Sequence, residues 1–227
     1  MTPVITTFDW VPDFARGFVR DVRARWACEE VGLPYRTHLI DFDEAKSPDH
    51  RAGQPFGQVP TWDDGEVAIF ESGAIVLHIA RTLPGLLPGN RAARARAEQW
   101  AIAALNSVEP TIFDLMQCDL FEADKPWSAQ RRPAVVDRLH ARLQGVANAL
   151  GDAPWLDGDA FTAGDLTMVS ALRQIGDASL LAEHAKLAEY VARGEARPAF
   201  VQAMADHLAA FEPADRMRAA QTQEQAA

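Results

Sequence analysis

Residues 57–75, GQVPTWDDGEVAIFESGAI, decide how the first third of the chain is read. VPTW (59–62) and EVAIF (66–70) have the β-branched and aromatic character of strands, and Asp63-Asp64-Gly65 between them is a turn in which glycine supplies a positive φ. Pro60 has no N–H, so a sheet admits it only at an edge or at the first position of a strand. If the Val59–Pro60 bond is cis, Val59 turns its own N–H and C=O outward, where an extended peptide can be held as an added antiparallel strand. Glu71-Ser72 then heads an apolar run, ESGAIVLHIA (71–80), with helical spacing. A helix start carries free amides and suits a carboxylate group. The plainer reading is that Glu71 and Ser72 cap the helix.

Outward from this stretch the chain alternates in type. VITTF (4–8) reads as a buried strand. From Gly17 to Val31, Val19, Val22 and Trp26 recur at helical spacing, with Arg20, Arg23 and Glu30 on other faces. Gly32 stops that helix and Pro34 follows. YRTHLI (35–40) is a second strand, and residues 41–56, with Pro48, Gly53 and Pro55, form a loop with a short helix. A further helix runs from Glu71 to about Thr82. The order β-α-β-α-β-β-α defines an α/β domain over residues 1–83.

LPGLLPGN (83–90) has no periodicity and marks a linker at residues 84–90. Residues 91–227 contain no convincing strand and read as an all-helical domain. Trp100, Ala104, Val108, Ile112 and Leu115 stripe a long helix over 91–123, which Pro110 should kink or break. Val136, Leu139, Leu143, Val146 and Leu150 define a second amphipathic helix. Further helices are expected at about 163–176, 179–193 and 197–211, with the tail from about 214 frayed.

Composition excludes several function classes. With 48% hydrophobic residues in 227, the chain can bury a core and is not disordered. Its net charge of −10 disfavours nucleic acid and anionic membranes as partners. No apolar run approaches the about 18 residues of a membrane helix. Cys28 and Cys118 form no CxxC, which argues against a disulfide framework or a cysteine zinc site and fits a reducing cytosol. The six histidines are scattered, so no metal site is expected. MTPVITTFDW lacks the pattern of a signal peptide, and a cytoplasmic location is expected.

Taken together, these pieces resemble the cytosolic glutathione transferases, whose thioredoxin-like N-terminal domain precedes an all-helical one. EEVGLPY (29–35), GQVPTW (57–62), ESGAIVLHIA (71–80) and the linker carry the resemblance, without assigning a class within the family. PWLDGDAFTAGDL (154–166) matches the segment that opens the family's core helix. There Thr162 and Asp165 have the spacing of a capping box, with Asp in place of Glu or Gln, and Thr162 is an N-cap worth about 1 kcal/mol.

The resemblance implies a role for each matching residue. Val59 would pair its backbone with the cysteinyl part of glutathione, with cis-Pro60 setting the geometry. Glu71 would face the γ-glutamyl ammonium and Ser72 the γ-glutamyl carboxylate. Gln58 would touch the tripeptide backbone, and His50 or Arg51 either meets the glycyl carboxylate or is a solvated loop charge.

Transfer requires the glutathione thiolate, and a free thiol has a pKa near ~8.5, so a donor near the sulfur is needed. Family members place a Tyr at the end of the first strand, or a Ser or Cys just before the first helix. Residues 8–21, FDWVPDFARGFVRD, contain none of these, and the only tyrosines are Tyr35 and Tyr190. The substitutes are Arg16, the indole N–H of Trp10, the backbone amides from Arg16 to Phe18, and Thr7. Against them, Trp10 and Phe14 equally suit the wall of an apolar pocket, and Arg16 a solvent-facing series with Arg20, Arg23 and Arg25. Cys28, near the end of its helix, reads as core. The acceptor pocket is expected between the domains, lined by Trp10, Phe14, Trp100, Asn106 and Phe113.

The expected function is conjugation of the glutathione thiolate to an electrophilic apolar small molecule. The alternative is a glutathione- or ligand-binding protein with little turnover. The resemblance further implies a homodimer, to which RAARARA (91–97) either contributes or presents a solvated face.

Overall fold

A β-branched run in which alternate residues, Ile5 and Thr7, are buried puts strand β1 (Val4–Phe8) inside a four-stranded sheet with β2 (Arg36–Ile40), β3 (Thr61–Asp63) and β4 (Ala68–Phe70), in the order β2-β1-β3-β4. The computed structural model describes residues 1–225. β1 and β2 are parallel, in register from Val4↔Arg36 to Phe8↔Ile40. A parallel pair needs a crossover, and helix α1 (Asp21–Val31) supplies it. β3 lies antiparallel to both β1 and β4. Helix α2 (Pro48–Gly53) precedes β3, and α3 (Ser72–Thr82) follows β4. The element order is that of the thioredoxin-like domain expected from the sequence.

Three local expectations change. The first helix starts at Asp21 rather than Gly17: a 3₁₀ turn at Asp13–Ala15 comes first, and Gly17, at φ 82, interrupts any continuous helix. Arg16 therefore lies in a turn before the helix. The hairpin loop is Asp64–Val67, closed by the Asp64 N–H on the Val67 carbonyl at 3.2 Å, and Asp63 still belongs to β3. Arg23 and Arg25 are each 2% exposed rather than solvent-facing, because α1 is covered on more than one side. Gly32, at φ 64, ends α1 with the Leu33 N–H on the Cys28 carbonyl, as its position predicts.

The chain divides into two compact units, residues Met1–Leu83 with the chain from Pro198 onward, and Pro84–Arg197. In the second unit α4 (Arg91–Ala103) passes through a π-helical turn, Ala104–Val108, into α5 (Glu109–Met116). Pro110 sits in the first turn of α5, where its missing N–H costs no bond; the expected break is thus a widened turn immediately before it. α6 (Pro126–Leu150) buries Val135, Leu139, Leu143, Val146 and Leu150, so Val135 replaces the expected Val136 in the stripe. α7 (Ala163–Leu172) is buried at every position. Its capping box is formed as expected, with the Thr162 hydroxyl accepting from the Gly164 N–H and Asp165 accepting from the Thr162 N–H at 2.9 Å. The segment expected as one helix over 179–193 is two, α8 (Ala178–Ala182) and α9 (Ala185–Glu195).

The remaining helices, α10 (Pro198–Ala209) and α11 (Glu212–Gln225), group with the first unit. α10 packs on α1, where Phe200 meets the fully buried Trp26 ring edge-on at 4.9 Å. Of the tail expected to fray from about residue 214, the part as far as Gln225 is helical, and the last two positions lie outside the described residues. Among the described residues no helix is long and apolar enough to cross a membrane.

Candidate functional site

The loop into β3 is shaped by two close approaches. Gly57 has φ 65, and a Cβ there would lie 3.0 Å from the Ala45 carbonyl oxygen and 3.2 Å from Arg51 Nε. A side chain at this position would meet both the backbone and the conformational penalty, so the glycine of GQVP is required by its surroundings. Ser47 caps α2 by accepting from the His50 N–H at 3.2 Å. The His50 ring then reaches the Gln58 carbonyl, with Nε2 at 2.8 Å. A carbonyl only accepts, so Nε2 carries the proton, and His50 braces the loop from α2. Arg51 and Gln58 are exposed, and Val59 is half-buried.

The Val59–Pro60 bond is cis, and Pro60 stands one residue before β3. Among the described residues no hydrogen bond within the chain occupies the Val59 N–H or C=O.

Glu71 is the one non-glycine residue with positive φ among the described residues, at φ 72 and ψ 115. Such a conformation costs of order 1–3 kcal/mol and points to a functional constraint. Glu71 occupies the N-cap position of α3, yet its exposed side chain makes no capping bond. Ser72 is buried, and its hydroxyl accepts from Arg23 Nη1 at 3.2 Å. Neither side chain caps the helix, so the plainer of the two readings of this pair is not the one realised.

The turn before α1 is held by the C-terminal helices. Arg16 donates through both terminal nitrogens to Asp215, at 2.8 and 2.5 Å, and lies over the Phe211 ring. Hydrogen bonding to Asp215 raises the Arg16 pKa, and the same pair holds the Asp215 carboxyl below its ordinary value, with lesser contributions from Trp10 and Arg218. The Arg218 guanidinium lies 3.8 Å above the Trp10 ring. The three backbone amides from Arg16 to Phe18 are already engaged: with Asp13 O, with His207 Nε2 and with Ala15 O. Thr7 is buried at 1% exposure.

Beneath the turn, the Gly17 N–H donates to His207 Nε2 at 3.1 Å, and His207 Nδ1 lies 3.2 Å from Asp21 Oδ2. That oxygen also accepts from Arg25 Nε at 2.7 Å. An amide only donates, so Nε2 is the accepting nitrogen and the imidazole proton sits on Nδ1, facing the carboxylate. Burial works to raise the Asp21 pKa, but the bonds from His207 and Arg25 outweigh it and lower the value. Cys28 is fully buried, and burial pushes its thiol up to about 12, which removes it as a nucleophile.

Of the residues expected at the acceptor pocket, Trp10 and the exposed Phe14 belong to the first unit, and Asn106 and Phe113, both exposed, to the second. Sequence reasoning missed Arg23, His207, Asp215 and Arg218. The only local signal among them was Arg23, one turn into α1 on a face assumed to be wet.

The domain family described as "Glutathione S-transferase, N-terminal domain" matches residues 6–81. The chain is 30% identical to Glutathione S-transferase 4 of Zea mays over 73% of its own length and 75% of the relative's. It is 30% identical to Glutathione S-transferase F11 of Arabidopsis thaliana over 80% of its length and 90% of the relative's. A glutathione transferase family member from Pseudomonas fluorescens, solved with two glutathione molecules bound, superposes with a TM-score of 0.79 at 21% identity, covering 89% of this chain and 92% of that one. With 30% identity over most of both sequences, the chain belongs to the glutathione S-transferase family.

Proposed function

We propose that the protein binds glutathione across the Val59–Pro60 loop and the start of α3 and transfers its sulfur to an electrophilic apolar small molecule. The observation that carries this reading is Glu71: an exposed carboxylate on a left-handed backbone, ahead of a buried serine, in a family member. A capping role would need neither feature. Val59 supplies a free N–H and C=O for the cysteinyl backbone, and Glu71 a counter-charge for the γ-glutamyl ammonium. Ser72 and the amides at the start of α3 suit the γ-glutamyl carboxylate. Gln58 and Arg51 are exposed beside the loop, while the role of His50 is to brace it. In the reaction the thiol loses its proton to solvent, sulfur bonds to the electrophilic carbon, and any leaving group departs with the electron pair. Arg16 and Trp10 remain the side chains nearest in sequence to the thiol end, with Phe14, Asn106 and Phe113 as acceptor-pocket residues. The protein would act in the cytoplasm as a homodimer, removing reactive apolar compounds.

Glutathione should raise the melting temperature, since a ligand at about 100 times its Kd adds roughly 2.7 kcal/mol to a folded state that alone binds it. No shift at millimolar glutathione would refute the binding site. Ultraviolet titration of the bound thiol then distinguishes turnover from simple carriage: a transferase lowers the thiol pKa from its free value near ~8.5, and a carrier leaves it there.

A further inference from the structure

We propose that His207, oriented by Asp21, is a positioning residue for the turn Arg16–Phe18, which leads to the thiol end of the glutathione site. The inference rests on the proposed function and adds to it a residue far from the motifs that define the family. Gly17 sits at φ 82 and lacks the side chain that would restrict its backbone. Left to itself, such a turn samples several conformations. On its buried side the Gly17 N–H donates to His207 Nε2 at 3.1 Å, a tether from a residue 190 positions away.

The tether is built with care for its chemistry. Nε2 accepts only while the proton stays on Nδ1, and the Asp21 carboxylate at 3.2 Å from Nδ1 favours that tautomer. Asp21 is itself held by Arg25 Nε at 2.7 Å, and all three side chains are at most 2% exposed. Water therefore cannot replace either bond at no cost. Arg16 immediately precedes Gly17, so the direction of its side chain follows from the same tether.

Two polar replacements divide the imidazole's functions. His207→Gln places an amide oxygen near the Nε2 position and can still accept from Gly17. His207→Asn places its amide near Nδ1, opposite Asp21, and cannot reach Gly17. Each variant is measured for the apparent pKa of the glutathione thiol bound to it, and for affinity toward S-methylglutathione, which has no ionisable thiol. His207→Asn should raise the bound-thiol pKa by about one unit, roughly a tenfold loss of thiolate at a fixed pH below it. His207→Gln should stay near the parent, and S-methylglutathione affinity should change less than about twofold in both, within ~0.4 kcal/mol. Equal thiol pKa values in the two variants would overturn the proposal, as would S-methylglutathione affinity falling in step with the thiol shift. If His207→Asn does not fold, the parent decides by nuclear magnetic resonance. The Gly17 amide should shift as the bound thiol ionises and stay still over the same pH range with S-methylglutathione; an indifferent amide overturns the inference. A parent that binds neither ligand refutes the proposed function itself, and that failure is separate from any difference between variants.

Discussion

Arg16 carries opposite instructions from its two surroundings. Its place before α1 suits stabilisation of a thiolate, yet its guanidinium is doubly bonded to Asp215. A carboxylate beside a cation lowers the attraction that cation offers to a second anion. Asp215→Asn should therefore lower the pKa of the bound glutathione thiol, and Arg16→Leu should raise it. Ultraviolet titration of the thiolate in each variant tests both, and an unmoved pKa in Arg16→Leu would take Arg16 out of the thiol site. The places of GQVP before β3 and of Glu71-Ser72 at the start of α3 were legible in the sequence because turn, strand and helix-start patterns are local, whereas Arg23, which bonds Ser72, lies 49 residues away. The partners of Arg16 and Gly17 were not, since Asp215 and His207 lie 199 and 190 residues away and no local pattern marks them. Arg23 and Arg25 were misread for a related reason: an arginine on a polar-looking helix face can be buried once other elements cover it, Arg23 donating to the Ser72 hydroxyl of α3 and Arg25 to the Asp21 carboxylate of its own helix.

At the level of elements, the β3–β4 hairpin depends on one carboxylate. Asp64 accepts from the Val67 N–H at 2.8 Å, the His78 ring at 2.9 Å, the Glu66 N–H at 3.0 Å and the Trp62 indole at 3.2 Å. The Val67 bond first, then His78, hold its pKa well below the ordinary carboxylate range, against a smaller upward push from burial. A carboxylate with a depressed folded pKa binds protons more readily when unfolded. Its contribution is therefore complete above the usual Asp value of about 3.9 and is lost as pH falls below it toward the folded value. Asp64→Asn should lose less stability than the parent between pH 7 and pH 3 in urea unfolding. Equal losses would mean that Asp64 is not the linked group. The strands, the stop at Gly32 and the capping box of α7 were readable from spacing and residue type. The π-helical turn ahead of Pro110 and the division of 179–193 into α8 and α9 were not, because periodicity reports that a segment is helical and not how its turns are wound.

The unit that carries the proposed glutathione site is completed from both ends of the chain. α10 lies on α1, Phe200 covers Trp26, and His207 reaches Gly17. A fragment of residues 1–83 leaves a buried tryptophan and a buried ion pair open to water, which costs several kcal/mol in a domain of this size. It should show no cooperative thermal transition by circular dichroism, and joining residues 198–225 to it through a flexible linker should restore one. A cooperative melt of the 1–83 fragment alone would show that the C-terminal helices are ornament to this unit. The same arrangement has a consequence in time. A ribosome releases the sheet and α1 first, but α10, which closes over α1, is made only after residues 84–197. At about 5–20 residues per second, residues 84–197 take roughly 6–23 s to synthesise. Through that interval each nascent chain presents an uncovered apolar face around Trp26, so the arrival of α10 decides when the first domain is safe from aggregation.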